Sequence, residues 1–350
     1  MKRIIQRTLL FLTAFVFFLS FRSSAQYETA GQYLDYINNA SQALTTKYLV
    51  YLSAVSHGKS ARKVEKRRID VVNSINETRY NIQGMPPWKG DRTLKDTTVA
   101  YLKILNSVFN DDYGKIVNME EIAEQSYDLM EAYMLAQQKA YEKLNAAGDK
   151  QVEMQRAFAK KNGINLVENT TELEEKSKKA SEVLKHGNEV YLIFFKVYKQ
   201  ESYLIEAMNQ KNLVSMEQNI NSLKKLSEEA LEKLKSVELY NNDASLVAAC
   251  RNMMNFYKSE AARSASLTDY ILKEENFNKL KKQLDSKPQN KRTQADIDQY
   301  NTAVNDINAA MKDFNNTNTA LNKERTAGLN DWNKAYNNFM DEYMPKQTKN

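Results

Sequence analysis

Apolar residues recur along most of this chain at three- and four-residue spacing, the period of a helix that buries one face. The last segment is clearest. Ile297, Tyr300, Val304, Ile307, Met311 and Phe314 follow one another at 3-4-3-4-3, and Asn318, Leu321, Arg325, Leu329, Trp332, Tyr336, Phe339 and Tyr343 carry the stripe onward. The spacing slips at 321–325–329, as a stutter does in a coiled-coil seam. Asn318 and Arg325 on the stripe predict a seam that is partly wet or register-fixing. The polar loop SKPQNKRTQAD, with Pro288, opens this helix and Pro345 stops it. At 1.5 Å per residue it would run roughly 70 Å.

A second stripe, Ile116, Met119, Ile122, Ser126, Leu129, Tyr133, Ala136, Ala140 and Leu144, predicts one long helix over 116–161, with Gly148 as a bend or break. A third helical zone covers 171–209. Its centre, VYLIFFKVY at 190–198, is apolar nearly all round and predicts the most buried turns of a bundle. No stretch alternates like a strand between turn signals. The pattern specifies an all-α, elongated helical bundle with long, coiled-coil-like helices.

The pattern also repeats. Shifted by 152 residues, Tyr51 falls on Tyr203, Leu52 on Leu204, Val64 on Met216, Val71 on Leu223, Ile82 on Leu234, Leu94 on Leu246 and Leu102 on Met254. In the same register WKGDRTL at 88–94 falls on YNNDASL at 240–246. Two amphipathic helices align by chance in their apolar positions, but not in an aromatic, a turn pair, an Asp, a hydroxyl and a Leu. The reading is two related helical-hairpin units, 26–165 and 166–345, followed by a tail, 346–350. Asp91 and Asp243 each follow a turn pair and precede an apolar helical pattern. We therefore expect them to be structural helix caps, with Thr93 and Ser245 as alternatives and Thr93-x-x-Asp96 as a capping box.

Composition agrees with long helices, since only nine Gly and four Pro interrupt 350 residues. The N-terminus MKRIIQRTLLFLTAFVFFLSFRSSAQ has the three parts of a secretory signal, with cleavage expected after Ala25, so that 1–25 is a signal peptide. Its apolar run is short for a membrane span, and an uncleaved anchor is the alternative. Lys2, Arg3, Arg7 and Arg22 would leave with it, taking the formal charge from +6 to about +2. A near-neutral chain gives no general electrostatic reason to bind nucleic acid.

Candidate chemistry is sparse. Cys250 is the single cysteine, so no intrachain disulfide forms, and SLVAACRNMM reads as a helix that buries it. His57 and His186 are each followed by Gly and read as helix stops rather than metal ligands. Glu120, Glu121 and Glu124 lack the Glu-x-x-His partners of a di-metal bundle and read as a solvated face. No nucleophile elbow, phosphate loop or Cys–His arrangement occurs. The expectation is a non-enzyme with no cofactor, metal or catalytic residue.

One feature exceeds what a scaffold needs. In SHGKSARKVEKRR, Lys59, Arg62, Lys63, Lys66 and Arg67 are spaced to put five cations on one helical face. Only Lys211 stands at the matching positions of the second unit. The face suits an anionic partner such as a lipid head group, an acidic glycan or a negative protein surface. The alternative is pairing with the acidic helix around 120–124. The 20 Tyr residues fall mostly on helix stripes and suit inter-helix packing.

The stretches AVSHGKSARKVEKRR, MPPWKGD, NDDYGKIVNMEEIAEQSYDLMEAY, YLIFFKVYKQESYLIEA and NNDASLVAAC resemble an uncharacterised family of predicted bacterial surface proteins of the spirochaete and Bacteroidetes type. That resemblance implies an exported, surface-associated helical protein and carries no activity or site residues. Together these readings predict an exported binding or structural protein at the cell surface, in the periplasm or secreted. Its partner would be a protein, a glycan or a lipid head group, and its long helices would suit a homo-oligomer. The alternative is a membrane-active, pore-forming-like protein using 190–198.

Overall fold

The computed structural model describes residues 27–56, 61–166 and 172–345. The expected signal peptide 1–25, His57, Lys59 and the tail 346–350 lie outside the described residues, as do the side chains of Glu120 and Glu121. The described chain is all-α. Its helices are α1 (Ala30–Ser56), α2 (Ala61–Gly84), α3 (Thr93–Ser107), α4 (Tyr113–Ala123), α5 (Tyr127–Lys161) and α6 (Glu172–Asn209). They continue with α7 (Leu213–Lys233), α8 (Ser245–Arg263), α9 (Ala265–Ser286) and α10 (Gln294–Tyr343). A π-turn at Val108–Asp112 joins α3 to α4.

The helices form two compact units that are interleaved along the chain. Of the described residues, one comprises 27–51, 65–114, 138–166 and 172–174, the other 52–56, 61–64, 115–137 and 175–345. The last change from one unit to the other falls at 174–175, against 165 in the sequence-derived division. The segments 52–56, 61–64 and 115–137, however, belong to the second unit.

In the first unit, Tyr33, Ile37, Ile75, Ile82 and Leu102 are almost completely buried. Tyr33 stacks on Phe158 at 5.8 Å and donates its hydroxyl to the Pro86 carbonyl at 3.0 Å. Proline cannot offer an N–H, so the Pro86–Pro87 link is tied down through its carbonyl. At the other end of this core Phe109 stacks on Tyr113 at 5.1 Å. The π-turn carries both Val108 and Phe109 into the core.

In the second unit, Val190, Ile193, Phe194, Phe195 and Val197 are buried, while Tyr191, Leu192 and Tyr198 of the same run are only partly buried and pack against that core. Phe194 stacks on Trp332 of α10 at 4.3 Å. Among the described residues no helix is long and apolar enough to cross a membrane.

Helix α10 begins where expected and has 50 residues. Thr293 and Asp296 close a capping box at its start. Its first half packs mainly on α9, with Phe277 against Tyr300 and Tyr270 against Phe314. Its second half enters the core, and a Cβ on Gly328 would lie 2.6 Å from Met253 Sδ. Gly328 thus marks a close approach of α10 to α8.

Three expectations need correction. The stripe over 116–161 is two helices, α4 and α5, divided at 124–126. Ser126 takes the break because its hydroxyl accepts the Leu129 N–H at 3.2 Å, an N-cap interaction that a continuous stripe conceals. Gly148 does not break α5, which runs through it. His186 does not stop a helix: it lies buried inside α6, and the missing side chain of Gly187 admits Met340.

The starts of three successive helices, residues 61, 93 and 113, recur 152 positions later at 213, 245 and 265. For the last long helix of each unit, the buried positions coincide at a shift of 181. Ala140 falls on Leu321, Gln151 on Trp332, Phe158 on Phe339 and Ala159 on Met340. The longer shift reflects the longer α9–α10 hairpin.

Candidate functional site

Three features carry polar chemistry: the α2 basic face, the two Asp turns and a buried ionic cluster in the second unit.

On α2, Arg62, Lys63 and Lys66 are exposed, and none forms an ion pair with a described residue. Arg67 is half-buried and donates to Asp70 at 3.2 Å. The next residue, Arg68, turns inward. It donates to the Phe109 carbonyl at 2.7 Å and pairs with Glu65 at 2.6 Å. Glu65 is consequently held below the usual carboxylate range, chiefly by its bond to Arg68. Within one run of cations, four remain as the external face and Arg68 serves the core. The division between the compact units passes through α2 at Val64–Glu65.

The two Asp turns have one geometry. Trp88 and Asp91 form a two-residue bridge, and so do Tyr240 and Asp243. The central residues all have positive φ: Lys89 (47°) and Gly90 (86°), Asn241 (48°) and Asn242 (61°). That is the requirement of a type I′ turn and explains why Gly and Asn occur there. Asp91 accepts the Thr93 N–H at 2.9 Å, and Asp243 accepts the Ser245 N–H at 2.7 Å. Each carboxylate thus satisfies the first N–H of its helix from one residue before the N-cap position, which Arg92 and Ala244 occupy. The Thr93–Asp96 capping box does not form, because Thr93 is already helical and Asp96 pairs with Arg92 at 3.1 Å.

The surroundings of the turns differ. Asp91 meets Lys161 at 2.7 Å, and the Trp88 indole donates to Asn162 Oδ1 at 2.8 Å. That bond to Lys161, followed by those from Thr93, holds Asp91 well below the usual carboxylate range. Tyr240 instead packs on Phe339 and Tyr343, and Asp243 is bonded to the Tyr343 hydroxyl. Desolvation opposes ionisation of Asp243, but its bonds to Ser245 and Tyr343 outweigh it and its pKa is lowered. Both turns are corners that fix helix starts.

The third feature was legible only as one polar residue on an apolar stripe. Arg325 of α10 donates to Glu201 of α6, to Glu260 of α8 and to Asn322. Glu201 and Glu260 are 1% and 2% exposed, and both accept from the one Arg325 guanidinium. Glu260 Oε2 and the hydroxyl of adjacent Tyr257 are buried without a partner. Burial, and then the charge of Glu201, raise the Glu260 pKa to about 8 although Arg325 opposes the rise. Arg325 is penalised by burial, yet the two carboxylates leave its pKa raised. Its guanidinium also lies over Phe256, 5.9 Å from the ring centre.

Other reactive groups serve packing. Cys250 is buried beside the Val190 carbonyl, and burial pushes its thiol up to about 12, away from the thiolate that reactivity requires. Among the described residues no group of His, Cys, Asp and Glu is arranged to hold a metal. The chain matches no protein-family model, no curated protein and no solved structure.

Proposed function

We propose that this is an exported, surface-associated or periplasmic, non-catalytic binding or structural protein that contacts an anionic partner through the basic face of α2. The observation that carries this reading is the exposure of Arg62, Lys63 and Lys66 without a counter-charge among the described residues. At the positions 152 later stand Val214, Ser215 and Gln218, so the packing of such a unit does not require cations there. Cations near an anionic surface contribute about 1 kcal/mol each, screened by salt. The two units are read as copies of one ancestral hairpin set. The common helix starts and the two type I′ corners support that reading.

The test is sedimentation of the full chain with vesicles containing anionic lipid, beside neutral vesicles and a soluble acidic glycan. Binding that weakens with salt, and that falls at least tenfold in R62E/K66E/R67E, is the expected result. Equal binding by wild type and variant would remove the face from the function.

A further inference from the structure

We propose that Glu201, Glu260 and Arg325 form a proton-holding lock that makes the docking of α10 against α6 and α8 depend on pH. Two carboxylates that are almost completely buried share a single guanidinium, so the fully ionised cluster has one uncompensated negative charge. An isolated buried charge is far costlier than a shared proton. Two buried carboxyl groups that accept from one guanidinium hold one proton for the same reason that like charges at close range do not both ionise. The hydrogen-bond census agrees, since Glu260 Oε2 and the Tyr257 hydroxyl have no partner in the interior.

The groups around the cluster leave that charge uncancelled. From α6 come Glu201 and Tyr198, and from α8 come Glu260, Tyr257 and Arg263. From α10 come Arg325, Asn322 and Glu324. Arg263 is neutralised by Glu324 at 2.5 Å. Helices α7 and α9 also pack on α8 but bring no charged partner to either buried Glu among the described residues.

The pH window follows. An unfolded Glu releases its proton near 4.5, whereas folded Glu260 keeps it up to about 8. Between those values the native state binds the extra proton. The stabilisation is complete below 4.5 and is lost as pH rises to about 8. Inside the window the unfolding constant rises about tenfold per pH unit for one proton. His186 acts oppositely. Desolvation lowers its pKa below 6.5, so its contribution is present above 6.5 and is lost as pH falls. The window from 6.5 to 8 therefore isolates the carboxyl pair.

Urea unfolding of the full chain between pH 6.5 and 8.5 tests the lock, together with the infrared C=O stretch of a protonated carboxyl at pH 7. Wild type is expected to lose stability across the window and to show that stretch. Glu260→Gln keeps the shape of the protonated acid. It is expected to lose the band, flatten the slope and be the more stable protein at pH 8.5. Should that variant fail to fold, E201L/E260V/R325L replaces the cluster with aliphatic side chains and is expected to show no slope. A wild type without the band, or a slope that persists in whichever variant folds, would overturn the lock.

Discussion

At the shifts that superpose the helix starts and the buried positions, the two units carry contrasting residues. Glu201 and Glu260 are preceded at a distance of 152 by Leu49 and Val108, and Arg325 is preceded at 181 by Leu144. The first unit has three aliphatic residues in that register, and the second has two carboxylates and a guanidinium. Aliphatic residues there gain by leaving water, with no polar group to satisfy. The ionic set gains little net stability over them, because desolvation consumes most of the attraction. What the ionic set adds is direction and dependence on pH. Three helices have to present three particular atoms to one another, and the arrangement has to hold a proton.

The comparison breaks most visibly if Arg325 can be lost alone. Arg325→Leu leaves two buried carboxyl groups without their cation and is expected to cost about 3–5 kcal/mol at pH 8 by urea unfolding. The cost should shrink toward acid pH as both carboxyls protonate. E201L/E260V/R325L is expected to be neutral or more stable by about 1–4 kcal/mol. A triple variant as damaged as the single one would mean that the two registers are not equivalent.

The same register sets Trp332 against Gln151. Trp332 stacks on Phe194, while Gln151 donates to the Thr98 hydroxyl at 2.8 Å. Trp332→Ala should cost about 3–5 kcal/mol. Gln151→Ala removes one buried hydrogen bond and should cost about 1–3 kcal/mol. Thermal and urea unfolding would rank them, and a reversed order would shift the weight of packing to the first unit.

The smallest contrast is at the corners. Asp91→Ala and Asp243→Ala are each expected to cost about 0.5–2 kcal/mol, because each removes the acceptor for the first helical N–H. Both carboxylates have lowered pKa values in the folded state. Their contribution is present above the ordinary value of 3.8 and is lost as pH falls below it. Both variants should retain any binding by the α2 face. Loss of binding with unchanged stability would make a corner part of the functional surface.

Much of this architecture was legible before any coordinates. The 3-4 periodicity found α10, its polar loop and its stop, and the apolar run at 190–198 marked one part of the second unit's core. Aromatic, turn pair and Asp together located both corners, because type I′ geometry restricts which residues can occupy it. The break at 124–126 was missed because Ser126 fits an apolar stripe about as well as it fits an N-cap. His186 was misread because a His–Gly pair ends a helix in isolation but admits a neighbouring helix in a bundle.

By itself, the sequence determined the helical class and the corners, since each rests on residues close together in the chain. Tertiary structure alone decided which charges face water and which face one another. Arg62 and Arg68 belong to one basic run, yet the first points outward and the second holds the Phe109 carbonyl. Glu201, Glu260 and Arg325 are separated by 59 and 65 residues and meet only because three helices converge. A charge is costly or inexpensive according to what surrounds it in space, and no periodicity along the chain records that.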